Sequence, residues 1–294
     1  MDNLTLWYIS IFAVDVAIAV AALIGLRYAM AWFTGVHVKD ELDRKDNFAF
    51  GTVIAAAVVA LALVLSAAVS GDVATSIATE ALNVVLYCVV GIVLLKLGLF
   101  SQEKLMLTGF SIKEQLQKQN MAVAVVVSAN LIAVGLIIRS GILWVEADDY
   151  TGLPALAVVF VVSQLVLMLV TLLRSKVYAK RHNQSSWQQA IASGNTALAI
   201  RYFGQVVATA LVLTAIGGLV VYLPGQLHLV AVTWLGLGVA ALLVLWVLYR
   251  IILPVLLTGV DVVAEVDEQQ NIGVAWIEAA IFMAIAIILI AFLL

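Results

Sequence analysis

The sequence predicts an all-α protein, a polytopic membrane helical bundle of eight transmembrane helices built from four parallel two-helix repeats. Three observations lead to this prediction. Hydrophobic residues make up 65% of the 294 residues and charged residues only 11%, whereas charged residues are about a quarter of a soluble domain. Apolar runs long enough to cross a bilayer recur along the chain. A polar-to-apolar boundary centred on an asparagine also recurs four times at nearly constant spacing.

The apolar runs indicate helices that span a lipid bilayer. We therefore expect the bilayer to be a partner of the chain. The mean hydropathy of +1.15 leaves too little polar surface for a soluble fold. The runs are continuous and do not alternate, which favours helices over a barrel, and a helix needs about 20 residues to cross the hydrocarbon. Pro224 and Gly225 separate the sixth run from the seventh. The predicted spans are 6–33, 48–70, 80–100, 120–139, 153–174, 197–223, 227–249 and 272–293.

The orientation follows from the distribution of basic residues. Loops after even spans are acidic or neutral, with Arg139 alone at an edge. By the positive-inside rule, the basic loops are cytoplasmic, and an even number of spans then places both termini on the exoplasmic side. The basic residues of the loops after odd spans are Lys39, Arg44, Lys45, Lys104, Lys113, Lys118, Lys176, Lys180 and Arg181.

The repeated boundary defines a unit of about 75 residues. Its asparagines are separated by 73, 75 and 76 residues, and a small residue stands two positions after each one. A unit of two spans returns the chain to its starting side, so the four copies have the same orientation and are parallel repeats. The boundary asparagines are Asn47, Asn120, Asn195 and Asn271.

Two interpretations of these asparagines are open. Asparagine is among the best residues for capping the first N–H groups of a helix, and unsatisfied N–H groups are costly at a membrane. Alternatively, four asparagines at one depth could surround an entry vestibule at the cytoplasmic face. Within the second copy, Ser111 and Glu114 have the spacing of a capping box and predict a short interfacial helix before Asn120.

The second copy, "GFSIKEQLQKQNMAVAVVVSANLIAVGLIIRSGI", resembles the YjfL family of bacterial inner-membrane proteins, catalogued as domain of unknown function 350. The family pattern is an acidic amphipathic turn, then N-x-A-x-A, then a helix rich in small residues. The third copy has Gln189 in place of the glutamate, and the first and fourth match more loosely. The resemblance covers two tandem domains, 1–150 and 151–294. It implies a bacterial inner membrane and no established activity.

Polar residues within the spans are functional candidates, because ionisable groups are expensive in a membrane. Counting helical rise from the span ends places four of them near the midplane, where they could form one polar cluster. The alternative is that they hold neighbouring helices together by hydrogen bonds. The four are Asp15, Asn130, Gln164 and Gln205.

An ion pair is predicted between Arg201 and Glu278. They follow their boundary asparagines by six and seven residues, so they lie at the same depth on equivalent helices. We expect Glu278 to be ionised and structural, since its loss would leave Arg201 without a countercharge. Asp15 has only neutral amides at its predicted depth, which suits a proton or cation site.

The histidines, the cysteine and the other residues that could carry out chemistry do not form a catalytic pattern, so we expect no enzymatic activity. His37, His182 and His228 lie in separate loops without metal-ligand spacing, the single cysteine is Cys88, and no catalytic motif is present. We therefore expect no cofactor, no metal and no nucleic-acid partner. Two functions remain. One is conduction or transport of an ion or small polar solute; the other is a structural or scaffold role in the cell envelope, with a cytoplasmic partner or a second copy of the chain.

Overall fold

The computed structural model describes residues 3–34, 38–70, 76–146, 150–222 and 225–293. Within these ranges the chain forms ten α-helices and no strand. Short helices and π-helical or 3-10 turns connect them. The α-helices are α1 (Asn3–Thr34), α2 (Phe48–Ala68), α3 (Ile77–Ser101), α4 (Ile112–Gln117), α5 (Met121–Trp144), α6 (Leu153–Arg181), α7 (Trp187–Ala192), α8 (Thr196–Ala215), α9 (Leu227–Leu256) and α10 (Ile272–Leu293).

The prediction of eight spans is confirmed for the part of the chain that the structure describes. Eight helices are long and apolar enough to cross a membrane, all except α4 and α7. Helix α6 continues to Arg181, seven residues beyond its predicted end. The sixth span ends earlier than predicted, at a 3-10 turn over Ile216–Gly218, because paired glycines are poor helix formers. Pro224 lies outside the described residues.

The eight spanning helices form two rows. The four helices that follow the boundary asparagines stand side by side in the order α2, α5, α8, α10. The other four, α1, α3, α6 and α9, form a second row along the first, and α3, α6 and α9 each lie against two neighbouring helices of the first row. The middle helices α5 and α8 are 83% buried over their most apolar windows, whereas α10 is 33% buried. The first row is therefore the core of the bundle.

Small residues allow the helices of the first row to approach closely. A Cβ atom added to Gly135 on α5 would lie 2.9 Å from the Ala60 Cα on α2. One added to Gly204 on α8 would lie 2.3 Å from the Ala279 Cα on α10. Such contacts are typical of membrane helices, whose association depends on van der Waals packing because lipid is as apolar as the side chains.

The row is open. The four helices begin at the same end of the bundle, which we call the asparagine end, as parallel repeats require. The first repeat and the fourth stand at the two ends of the row, and α2 and α10 share no extensive packing among the described residues. The repeats therefore do not surround a central axis.

Candidate functional site

The boundary asparagines cap the helices that they precede. The side-chain Oδ1 of Asn47 accepts a hydrogen bond from the Phe50 N–H at 2.9 Å. The other three asparagines make the equivalent bond to the residue three positions later, at 2.9 to 3.3 Å. Each therefore satisfies one of the N–H groups that a helix leaves without an internal partner. The short helix α4 is likewise capped by Ser111, through the Glu114 N–H.

The same asparagines also join consecutive repeats, which the sequence did not indicate. The Nδ2 of Asn47 donates to the Leu116 carbonyl of the second repeat at 2.8 Å. Asn120 donates to the Ala192 carbonyl at 2.8 Å, and Asn195 to the Asp267 carbonyl at 3.2 Å. These amides are used between repeats and do not line a vestibule. Asn271 is exposed, and its Nδ2 donates within its own repeat, to Glu265.

The acidic residue before the asparagine has a structural role in the first repeat. The buried Glu41 carboxylate accepts hydrogen bonds from Lys45 and Asn47, each at 2.7 Å. Burial by itself would raise the pKa of Glu41, but these bonds and the Lys45 charge outweigh it and hold the pKa below its ordinary value. In the second repeat, Gln115 accepts the asparagine bond in place of Glu114.

The two environments lead to a testable difference between Asn47 and Asn271. Asn271→Ala removes an exposed cap and is expected to cost about 1 kcal/mol. Asn47→Ala also leaves the Oε2 of the buried Glu41 without its donor and removes one of the donors to the Leu116 carbonyl, so we expect a loss of about 2–3 kcal/mol. Unfolding both variants with SDS in mixed micelles measures the difference. Equal losses would contradict a role for Asn47 between repeats.

Arg201 and Glu278 are in contact, as their matched depths predict. The Arg201 Nε donates to Glu278 Oε2 at 2.5 Å, and both side chains are about 2% exposed. Arg201 has two further partners that the sequence did not suggest. Its Nη1 donates to Asp267, and its Nη2 donates to the Val262 carbonyl at 2.9 Å. The guanidinium is thus bonded through all three of its nitrogens.

The two carboxylates have second partners of their own. The Tyr249 hydroxyl donates to Glu278, and His182 Nε2 lies 2.9 Å from Asp267 Oδ2. The sequence pattern placed His182 alone in a loop and did not point to Asp267. A signal for Asp267 was present, because it precedes its asparagine by four residues, where the second and third copies have the buried Leu116 and Ile191. The first copy has the exposed Asp43 at this position, so the position by itself did not show that Asp267 is buried.

A second buried arginine, Arg174 on α6, lies beside the cluster formed by Arg201, Glu278 and Asp267, and it is not paired with a carboxylate in the described part of the chain. Its side chain is 8% exposed, and its Nε donates to the Gln205 Oε1 at 2.6 Å. Its guanidinium carbon lies 5.8 Å from the centre of the Trp246 ring, in the range of a cation–π contact. Within the described residues, no carboxylate comes within ion-pair distance of Arg174.

Arg174 and Arg201 both face a cavity of about 130 Å³ at the asparagine end of the bundle, between α6 and α9. Among the described residues, Glu278 is the only carboxylate that lines the cavity. The rest of the wall combines two exposed arginines with apolar and aromatic side chains. The lining residues are Leu173, Arg174, Val177, Arg181, Arg201, Trp246, Tyr249, Arg250, Leu253, Val262, Val263 and Glu278. Four arginines facing one carboxylate make this cavity electropositive.

The four residues of the predicted midplane cluster make no hydrogen bond to one another within the part of the chain that the structure describes. Asp15 lies on α1, within electrostatic range of Glu80 on α3, while Asn130 donates to the Gly98 carbonyl at 3.3 Å. Gln205 is bonded to Arg174, and Gln164 precedes Arg174 by ten residues, about 15 Å along α6. The predicted depth of Gln164 was counted from residue 153, where α6 also begins. The neighbours of Asp15, Asn130 and Gln205 are therefore different from one another.

The buried polar residues of α6 nevertheless share one face. Thr171 and Arg174 contact α8, where the Thr171 hydroxyl lies 3.0 Å from the Tyr202 hydroxyl. Gln164 lies about two turns before Thr171 and Ser163 about three turns before Arg174, and both are buried on this face. The Ser163 hydroxyl and both polar atoms of Gln164 have no hydrogen-bond partner among the described residues. A polar stripe therefore runs from the arginine cavity toward the opposite end of α6.

Comparison with known proteins gives a family and no activity. The family described as Domain of Unknown Function (DUF350) matches the chain twice, over residues 3–142 and 148–293. No curated protein and no solved structure matches the chain. The arginine cavity lies in the second of the two matched segments, since all its lining residues follow residue 148.

Proposed function

The chain belongs to the family of Domain of Unknown Function (DUF350), and from the geometry of the arginine cavity we propose that it transports a small anionic solute across the membrane. The observation that carries the proposal is Arg174, a buried cation that faces a cavity and has no carboxylate within ion-pair distance among the described residues. A desolvated charge in a membrane protein requires compensation. An anion in the cavity would supply it.

The chemistry of the cavity favours a carboxylate or phosphate group as the ligand. Guanidinium groups bind both in a bidentate manner through parallel N–H donors. The apolar wall formed by Trp246, Leu253 and Val262 suits a ligand with a short apolar portion. No enzymatic step is required.

The polar stripe of α6 supports movement of the solute beyond the cavity. The unpartnered atoms of Gln164 and Ser163 would supply hydrogen bonds deeper in the bundle. In the proposed arrangement, the asparagine end faces the cytoplasm of a bacterial inner membrane, and both termini are exoplasmic, as the lysine and arginine asymmetry favours.

A structural or scaffold role in the cell envelope is the second candidate. The close packing of the first row favours it, because the contacts of Gly135 with Ala60 and of Gly204 with Ala279 leave no space for a pore between those helices. Any path would have to lie between the two rows. A scaffold would bind a cytoplasmic partner or another copy of the chain and would move no solute.

Flux measurements test the transport proposal. Purified protein in liposomes is assayed with labelled phosphate, acetate and glutamate, and with potassium as the cation control. We expect uptake of at least one anion above protein-free vesicles, and a loss of at least about tenfold in Arg174→Gln. Arg174→Lys should retain part of the flux, because it keeps the charge and loses the bidentate geometry.

Arg139→Gln is the matched control. Arg139 is an arginine at the opposite end of the bundle, where its Nε donates to the Ser66 hydroxyl at 3.2 Å. Its loss should leave anion flux unchanged. If no anion crosses faster than in protein-free vesicles, or if Arg139→Gln and Arg174→Gln reduce flux equally, the transport proposal is wrong.

A further inference from the structure

We propose that copies of this chain assemble head to tail in the membrane, with α10 of one copy packed against α2 of the next. This contact would continue the first row from one molecule into another. The partner is a second copy of the chain, in the same orientation. The inference is independent of the transport proposal, because it rests on the two ends of the row and not on the arginine cavity.

The first observation is the geometry with which consecutive repeats already pack. On α8, Gly204 is nine residues after its asparagine, and it meets Ala279 of α10, eight residues after the next asparagine. On α2, Ala60 is thirteen residues after its asparagine, and it meets Gly135 of α5, fifteen residues after the next one. Each interface thus joins two defined faces. Counted from the asparagines, position nine faces position eight of the following repeat at the α8–α10 interface, and position thirteen faces position fifteen at the α2–α5 interface.

The second observation is that both faces recur, uncovered, at the ends of the row. On α10, positions nine and thirteen are Ala280 and Ala284, and both are exposed. On α2, positions eight and fifteen are Ala55 and Ala62, and both are exposed as well. All four residues are small, as the close approach of the internal interfaces requires. The exposed face of α10 is therefore complementary to the exposed face of α2, as the facing helices are at the internal interfaces.

The third observation is the amide of Asn271. The Asn47 amide nitrogen donates twice, to its own Glu41 and to the Leu116 carbonyl of the next repeat. The Asn271 nitrogen donates to its own Glu265 at 2.8 Å and has no second acceptor among the described residues. In a following copy, the carbonyl equivalent to that of Leu116 belongs to Asp43, which also precedes its asparagine by four residues.

These observations specify the type of assembly. The contact uses two different faces, so it is heterologous and cannot give a twofold symmetric dimer. Repetition of it extends the row in the plane of the membrane, into a closed ring or an open array. Lipid is the competing occupant of both faces. A chain whose end faces are covered only by lipid would remain a monomer.

Cysteine cross-linking tests the contact directly. In a Cys88→Ala background, Ala62→Cys and Ala284→Cys are placed on separately tagged copies that are expressed together, and membranes are treated with a mild oxidant. These positions correspond to the internal pair of Gly135 and Ala60, so the Cα atoms should approach within the roughly 4.4–6.8 Å that a disulfide spans. We expect a disulfide-linked dimer that carries both tags, and no dimer when either variant is expressed alone.

The matched control uses exposed residues of the second row. Leu82→Cys and Val232→Cys are similarly exposed positions on α3 and α9, and this pair should not cross-link. Absence of a two-tag dimer above this control would overturn the proposal in favour of lipid-covered faces. A dimer of Ala284→Cys with itself would overturn it in favour of a symmetric contact.

A second variant distinguishes assembly from folding. Ala284→Trp adds bulk to an exposed position, so the chain should fold and the contact should be lost. Native mass spectrometry in detergent should show multiples of 31.4 kDa for the unmodified chain and the single mass for the variant. If the unmodified chain has only the single mass and also fails to cross-link in membranes, the end faces are not an interface.

Discussion

Replacing Arg201 by methionine is expected to cost about 3–5 kcal/mol of stability, because breaking a buried ion pair leaves an uncompensated charge in a low-dielectric environment. Two carboxylates lose their countercharge at once, since Arg201 contacts both Glu278 and Asp267. The Val262 carbonyl loses its donor as well. We expect little folded protein in membranes, and SDS titration of any purified fraction should give the loss of unfolding free energy.

Removing one carboxylate should cost less. The sequence suggested that loss of Glu278 would leave Arg201 without a countercharge, but the structure corrects this expectation because Asp267 remains bonded to the guanidinium. Glu278→Gln is therefore expected to lose about 1–3 kcal/mol, mainly from the weaker bonds to Arg201 and Tyr249. A loss as large as that of Arg201→Met would mean that Asp267 does not share the charge.

Arg139→Met is the matched control for the removal of an arginine. Arg139 makes one hydrogen bond, to Ser66, and has no carboxylate within ion-pair distance among the described residues. We expect its loss to change stability by about 1 kcal/mol or less. If Arg139→Met and Arg201→Met are equally destabilised, the effect belongs to arginines in general and not to the cluster.

Replacing Gly204 by leucine is expected to cost about 3 kcal/mol or more, by forcing α8 and α10 apart. An added Cβ would lie 2.3 Å from the Ala279 Cα, a backbone atom that cannot rotate away. The remaining atoms of leucine would extend the clash, and overpacking of a close interface is destabilising. The separation would also strain the Arg201 cluster, which joins the same two helices. Folded yield and SDS titration provide the measurement.

Gly236→Leu is the control for this substitution. Gly236 lies in the spanning helix α9, and an added Cβ would meet no atom within 4 Å. We expect a neutral effect or a gain of up to about 1 kcal/mol, because leucine has the higher helix propensity. Similar losses for Gly204→Leu and Gly236→Leu would show that leucine is harmful for a reason other than the contact with Ala279.

Several features of this protein follow from local sequence. Continuous apolar runs specify spanning helices, because every backbone polar group must be satisfied inside the membrane. The asparagine caps could be predicted because the donor lies three residues from the acceptor. The contact of Arg201 with Glu278 could be predicted because the two residues occupy nearly equivalent positions in adjacent repeats. In each case the sequence pattern that allows the prediction lies within one repeat or is seen when two repeats are compared.

Other features were decided only by the tertiary structure. The repeat spacing is the same for a ring and for an open row, so packing alone shows that α2 and α10 form two ends. The bonds from Asn47 and Asn120 to the next repeat connect residues about 70 positions apart, which no local pattern reveals. The electropositive cavity depends on the packing of α6 against α8, which brings Arg174 beside Gln205. The sequence by itself therefore determined which helices form and how they begin, because local hydrogen bonding and the transfer of apolar side chains to lipid control these two features. Contacts between distant residues decided which charges and which helix faces remain without a partner.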